Sequence, residues 1–191
     1  MIRHVPNPFE LHLPDPCLVV LVGAAGSGKS TFAGRHFAPG EVLSSDAMRD
    51  QIAGDATDQR ATGSAFAALH RALRGRLARG LLTVVDATSV SSQERRPLLR
   101  AAAETGVPSI AIVFELPATL VLARNAGRSG RTVPEDAVQR HLDRVAASLR
   151  GPGITAEGFA RVLVLRDTSE VDALIVVRGP RHSSGDAARR P

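Results

Sequence analysis

Apolar residues come along this chain in short unbroken runs that end on polar or glycine positions, with helical-period stretches between them. Strands alternating with helices around a parallel sheet produce that pattern. The clearest run is Cys17-Leu18-Val19-Val20-Leu21-Val22, which reads as a strand covered on both faces. The same pattern predicts five strands: Leu18 to Val22, Val42 to Ser44, Leu81 to Asp86, Ser109 to Leu116 and Arg161 to Leu165. Phe66, Leu69, Leu73 and Leu77 recur at helical spacing, and Val138, Leu142, Val145 and Leu149 mark a second amphipathic helix. That second helix has end signals: Pro134 in its first turn, Glu135 and Asp136 at its positive end, and Gly151 as its stop.

The segment after the first strand changes the picture from fold to chemistry. Gly23-Ala24-Ala25-Gly26-Ser27-Gly28-Lys29-Ser30 fits G-x-x-x-x-G-K-[ST], and Ser30 to Phe37 then reads as a helix closed by Pro39-Gly40. Strand, glycine loop and helix in that order place backbone N–H groups and a positive helix end at a bound phosphate. The alternative is a glycine-rich turn without a ligand. Lys29 is the chain's one lysine, against 23 arginines, at a place where a compact ammonium works and a planar guanidinium does not. Gly23, Gly26, Ser27, Gly28, Lys29, Ser30 and Thr31 are thus candidate nucleotide contacts, with the Ser30 hydroxyl a candidate Mg²⁺ donor.

Composition bounds the rest. With 191 residues, of which 43% are hydrophobic and 23% charged, one globular domain is expected. A single cysteine, Cys17, excludes an internal disulfide framework, and no apolar run is long enough to span a bilayer, so a cytoplasmic protein is expected. A net charge of +5 favours anionic partners, whether nucleotides, nucleic acid or phosphorylated metabolites. An arginine-rich surface with no specific partner has the same composition. The domain expected over residues 17–178 is flanked by an N-terminal extension, 1–16, and a disordered tail, 179–191, rich in Pro, Ser, Gly and Arg.

The remaining polar residues choose among phosphate-loop proteins. A guanine-specific GTPase usually carries Asn-Lys-x-Asp, which a chain with its only lysine in the loop lacks. A motor-type ATPase usually ends its second signature strand on adjacent acidic residues, whereas Asp86 stands alone before Ala87-Thr88. Asp86 either holds a Mg²⁺-bound water or caps the turn after its strand. Asp46, directly after the second strand, is placed to be a general base at the crevice formed by strand carboxyl ends, or else to cap the next helix. Arg49, three residues on, either grips an acceptor phosphate or is a solvated surface arginine. Arg124, Arg128 and Arg131 share one face if a single helix carries them, as a lid over a triphosphate or as a solvated face. Gly127 and Gly130 make such a lid flexible or end the helix.

Taken together, the strings resemble the kinase domain of bacterial polynucleotide kinase-phosphatase, the P-loop polynucleotide 5′-hydroxyl kinase family. The likeness runs from about Leu18 to Val177: the loop followed by Thr31-Phe32-Ala33, then Ser44-Ser45-Asp46, Asp58-Gln59, Thr62-Gly63 and Ala65-Phe66. It continues through Leu82-Thr83-Val84-Val85-Asp86-Ala87-Thr88 and Arg124-Asn125 to Arg128 and Arg131 before Val133. The resemblance implies an α/β P-loop kinase fold, a parallel sheet of about five strands flanked by helices, with a helical arginine-bearing lid over about 124–150. It also implies ATP- and Mg²⁺-dependent transfer of the γ-phosphate to the 5′-hydroxyl end of a nucleic acid. In it Lys29 and Ser30 contact ATP and Mg²⁺, Asp46 is the general base, Arg49 holds the acceptor's neighbouring phosphate, and Gln59 lies near the acceptor. Arg124 contacts the nucleotide, and Arg128 and Arg131 act in catalysis from the lid. Two departures are visible: such kinases are normally fused to phosphatase and ligase-like domains, of which this sequence shows none, so that it is expected either to work alone or to be an excised domain, and Ser89 stands where they more often have Asn; aromatic content is also 3% with no Trp or Tyr. Two other classes share the loop: a kinase of a small-molecule hydroxyl (sugar acid, antibiotic or nucleotide sugar), and a regulatory module that binds nucleotide and transfers nothing.

Overall fold

The computed structural model describes residues 9–53, 59–128 and 132–181, with side chains at 52–62 and 181 outside the description. Among the described residues seven strands and seven α-helices follow one another: β1 (Glu10–Asp15), β2 (Leu18–Val22), α1 (Lys29–His36), β3 (Val42–Ser44), α2 (Ser45–Ala53), α3 (Gln59–Leu77), β4 (Thr83–Asp86), α4 (Ser92–Glu104), β5 (Ser109–Phe114), α5 (Ala118–Ala126), α6 (Glu135–Ser148), β6 (Arg161–Leu165), α7 (Thr168–Ala173) and β7 (Ile175–Arg181). Five of the strands form one sheet in the order β3-β4-β2-β5-β6, with every pairing parallel.

All five residues of β2 are buried, because the strand lies at the centre of a sheet covered on both faces. Period-two alternation divides them. Leu18, Val20 and Val22 pack with Leu69, Leu73 and Leu77 of α3, Leu98 of α4 and Val145 of α6. Val19 and Leu21 pack on the opposite side with Phe32 of α1, Phe37, and Leu11 and Leu13 of β1. Each such buried side chain contributes about 1.5–3 kcal/mol of transfer free energy, so the sheet's centre is also its firmest part.

Three features differ from the sequence expectations. Residues 10–15, expected to be an extension, form β1, which pairs in parallel with β7 as a separate two-stranded sheet. β7 runs through Arg181, past the expected start of the tail at 179, and Arg178 within it pairs with Glu41 through two hydrogen bonds of 2.6 and 2.7 Å while standing over the Phe37 ring. The third and fourth expected strands are shorter at one end, beginning at Thr83 and stopping at Phe114.

The chain leaves β2 toward β3 and β4 on one side and returns to β5 and β6 on the other. The carboxyl end of β2 is therefore the point where the sheet's winding reverses, and a crevice opens there. The glycine loop fills that position.

Candidate active site

The loop after β2 is held on three sides. Its Gly23 N–H donates to the Thr88 carbonyl at 3.0 Å, tying it to the segment after β4. Gly26 has φ +86, and a Cβ there would lie 2.5 Å from the Val121 carbonyl of α5, so only glycine lets loop and helix approach this closely. Gly28, at φ +92, is the N-cap of α1, with no side-chain cap and no acidic residue in the first turn. The opening N–H groups of α1 are thus left for an anion.

Lys29 is buried, and its ammonium donates to the Gly23 and Ala24 carbonyls at 2.8 Å each, with the Ser27 hydroxyl at 3.4 Å. Burial lowers its pKa to about 8 against the raising influence of Asp86, while Arg128 lowers it further. A cation kept dry among carbonyl dipoles is poised to exchange them for phosphate oxygens.

Two cavities meet at this loop, sharing Gly26 and Arg128 as walls. The larger, about 400 Å³, is lined by Gly26 to Gly28, Ser30, Thr31, Arg124 and Arg128, and reaches Arg35 of α1 and Asp172 of α7, which are joined at 2.7 Å. The smaller, about 270 Å³, is lined by Lys29, Asp46, Arg49, Asp86 and Arg128, with Phe66 of α3, Glu94 of α4 and His141 of α6.

Around the second cavity the local structure explains each side chain. The Ser44 hydroxyl accepts the Ala47 N–H at 3.3 Å, so Ser44 rather than Asp46 meets the start of α2. The Asp46 carboxylate is turned instead to Arg49, whose guanidinium Nη2 donates to it. Arg49 is not a solvated surface arginine: its side chain is 15% exposed, against 58% for Asp46. Asp86, at the end of β4, is buried with its carboxylate toward this cavity and close enough to Lys29 to favour the ammonium form.

The arginine face departs from a continuous helix. α5 ends at Ala126 with Gly127 as C-cap, so Arg124 sits in the last helical turn and Arg128 beyond it. Arg131 lies outside the described residues, as does the Gln59 side chain. What holds the arginine-bearing segment is Asn125, buried on α5. Its amide nitrogen donates to the Val133 carbonyl at 2.7 Å and its amide oxygen accepts the Val133 N–H at 3.2 Å.

His141, Glu94 and Arg95 at or near the site escape sequence reasoning, and Ser89 is visible in the sequence only as a departure. His141 faces the cleft with Nδ1 buried and without a hydrogen-bond partner among the described residues, and burial holds its pKa below the ordinary value. Glu94 is signalled by Ser91-x-x-Glu94, a capping box realised at 2.9 and 3.3 Å. Ser89 has φ +46, a left-handed conformation that Asn tolerates better than Ser. Its carbonyl accepts from Arg95 at 2.7 Å, and Arg95, buried on α4, also pairs with Glu157 at 2.8 and 2.5 Å. No sequence signal joins Arg95 to Glu157.

Ser30 lines the larger cavity and Asp86 the smaller, so the two candidate Mg²⁺ residues lie on the two cavities that meet at the phosphate loop. Among the described residues no group of three or more His, Cys, Asp or Glu could hold a metal ion unaided. A Mg²⁺ that keeps phosphate and water oxygens needs only one or two donors from a protein. Among the described residues no helix is long and apolar enough to cross a membrane.

Known proteins are similar to this chain to different extents. A family model described as an AAA domain (AAA_33) matches residues 18–152. Of solved structures, one titled as the Pnkp1/Rnl/Hen1 RNA repair complex matches with a TM-score of 0.60 and 23% identity, over 71% of this chain. The chain spans 45% of that match's length. A sugar kinase from Janibacter sp. HTCC2649 matches with a TM-score of 0.54 and 19% identity, over 79% of this chain and 85% of that one. A gluconokinase from Sinorhizobium meliloti 1021 matches with a TM-score of 0.50 and 19% identity, over 84% and 90%. The resemblance drawn from the sequence is in line with the first of these, and what the three have in common with this chain is the fold.

Proposed function

From the premise that this chain belongs to the AAA domain family and carries the α/β P-loop kinase fold, we propose that it transfers the γ-phosphoryl group of ATP to the 5′-hydroxyl end of a polynucleotide. The observation that carries this is the second cavity: a carboxylate and a guanidinium, Asp46 and Arg49, line with Lys29 a cleft that meets the larger cavity at Gly26 and Arg128. A hydroxyl acceptor needs the carboxylate, and a nucleic-acid end needs, in addition, a cation for its neighbouring phosphate.

ATP occupies the larger cavity, its phosphates on the N–H groups of the Gly23 to Thr31 segment and beside Arg124. Lys29 leaves the Gly23 and Ala24 carbonyls for the phosphates. Ser30 and Asp86 would hold the Mg²⁺ that accompanies ATP, which would supply positive charge to the phosphates. Asp46 orients the acceptor hydroxyl and takes its proton as the new P–O bond forms and the bond to the β,γ-bridging oxygen breaks, releasing ADP. Arg128 and Arg131, from the lid over about 124–150, stabilise the charge in transfer. Arg49 grips the acceptor's next phosphate, and Gln59 lies beside the acceptor.

The test is incubation with γ-labelled ATP, Mg²⁺ and an oligonucleotide bearing a 5′-hydroxyl. Label on the oligonucleotide is expected. Label on a sugar acid or other small hydroxyl compound, with none on the oligonucleotide, rejects the acceptor. That second reading has one observation in its favour: the sugar kinase and gluconokinase are matched over nearly their whole lengths, and the RNA repair protein over less than half.

A further inference from the structure

Among the described residues the largest fully buried side chain is a charged one, Arg95 of α4, only 1% exposed. Its Nε and Nη2 donate to the Glu157 carboxylate at 2.8 and 2.5 Å, and its Nη1 donates to the Ser89 carbonyl at 2.7 Å. Glu157 follows α6 across a short 3₁₀ turn, Gly153–Ala156, so this one guanidinium joins three segments far apart in the sequence. Neither Arg95 nor Glu157 lines either cavity at the phosphate loop.

Stability alone does not call for an ion pair here. Two apolar side chains of similar volume fill such a space as well, without drawing two charges out of water. What they cannot supply is a directed donor. A planar guanidinium committed to a carboxylate through Nε and Nη2 is fixed in orientation, and its remaining Nη1 is aimed by that fork. The group it meets is one that needs holding. Ser89 is buried and is the one non-glycine residue of positive φ among the described residues, at +46. A residue in that region persists only where its surroundings determine it.

The turn held in this way reaches the phosphate loop. On its near side Asp86 is fixed by strand pairing, opposite Leu21 of β2 and Ser44 of β3. On its far side Ser89 is fixed by Arg95. Thr88 lies between the two anchors, and the φ of Ser89 sets the plane of the Thr88–Ser89 peptide and thus where the Thr88 carbonyl points. That carbonyl accepts the Gly23 N–H at 3.0 Å, and the Gly23 carbonyl in turn accepts from Lys29 at 2.8 Å. A continuous line of bonds therefore runs from Glu157 through Arg95 and the Ser89 turn to the first residue of the loop and its lysine.

Resting on the assignment of this loop to the phosphates of ATP, we propose that Arg95 is a positioning residue for the phosphate loop. Oriented by Glu157, it holds the Ser89 turn, and the turn keeps Gly23 where the loop must start. Arg95 touches neither reactant, and its role does not depend on which hydroxyl accepts the phosphoryl group.

The experiment measures Tm and ATP affinity together in the wild type and two variants. Glu157→Gln lowers Tm but keeps an oxygen for Arg95 and leaves the donor to Ser89, so its Kd for ATP, titrated well below Tm, is expected to stay within about twofold of the wild type. The double variant Arg95→Met, Glu157→Met regains most of the lost Tm but has no donor for Ser89. Its Kd for ATP is expected to rise about tenfold, the size of one hydrogen bond, and its KM for ATP to rise with it while the KM for the acceptor does not. The less stable variant is thus the better binder, which a purely structural pair would not produce. ATP affinity at the wild-type level in the double variant, a double variant that does not fold, or a loss in Glu157→Gln as large as in the double variant makes the pair structural and overturns the assignment, with nucleotide binding by the wild type left intact. No ATP binding by the folded wild-type protein overturns the nucleotide reading, and the positioning role with it.

Discussion

Asp46 and Arg49, three residues apart at the start of α2, are joined through Oδ1 and Nη2, and it is the arginine that is the more buried of the two. The pair thus has a fixed member and a presented one: Arg49 is packed in the cleft wall and holds the exposed carboxylate toward the space where an acceptor would lie. An i,i+3 pair on a solvated helix surface contributes only a few tenths of a kcal/mol. The significance of this one is orientation.

Replacing the carboxylate by its amide keeps an oxygen for Arg49 and removes the ability to take a proton. Asp46→Asn is therefore expected to bind ATP normally while transfer falls by about 10²–10⁴-fold, read by nucleotide titration and by single-turnover transfer. Undiminished transfer in this variant rejects Asp46 as the base. A nucleotide-binding module that transfers nothing would show no difference between the two proteins in either assay.

Lys29 makes a pH prediction whose sign follows from its lowered pKa. In the free protein the ammonium is lost as pH rises through about 8, whereas phosphate oxygens in place of the carbonyls hold the proton to higher pH. Binding at pH 9 must then take up a proton, and ATP affinity is expected to fall about tenfold between pH 7 and pH 9. Calorimetry in two buffers of different ionisation enthalpy measures the uptake. The same shift makes the free fold more stable as pH rises from about 8 toward the unfolded lysine's value near 10.5, since the folded state gives up the buried charge more readily.

Glu157→Gln leaves the buried Arg95 guanidinium without its counter-charge, a change that costs about 3 kcal/mol or more and lowers Tm by several degrees. Replacing both residues by methionine is expected to recover most of that loss, because an apolar pair needs no compensation. Thermal unfolding of the single and double variants separates the two outcomes.

Asn125→Ala removes both bonds to Val133 and is expected to cost about 1–3 kcal/mol, since the Val133 N–H and carbonyl lose their partners. Its functional signature is a raised KM for ATP, as the segment carrying Arg128 loses its anchor to α5. An unchanged KM alongside a lowered Tm shows that the staple serves stability alone.

The parts of this molecule that local patterns encode are legible in the sequence, and those made by distant contacts are not. β2 reads from its own apolar run and the phosphate loop from its own glycines. Glu10–Asp15 offers only Leu11 and Leu13 between polar residues and prolines, and its partner strand lies at the far end of the chain. Phe66 is visible as the first member of a helical stripe. Its neighbours Leu69, Leu73 and Leu77 are core, while Phe66 itself, two turns into the helix, is half-buried in the cleft wall. His141 sits on a helix whose apolar face is plain, but which wall it joins depends on how α6 crosses the sheet. Gly127 reads equally well as hinge and as helix end, and a C-cap geometry decides for the second.

The clasp between β1 and β7 also has a kinetic meaning. Pairing the first described strand with the last closes a loop of almost the whole chain, and such a contact repays its entropy only after the intervening sheet has assembled. The clasp is then expected to form after the central sheet and to open before it. Its amides should exchange with solvent ahead of those of β2, and each opening uncovers the apolar ground around Phe37 while the strand behind the phosphate loop stays shut.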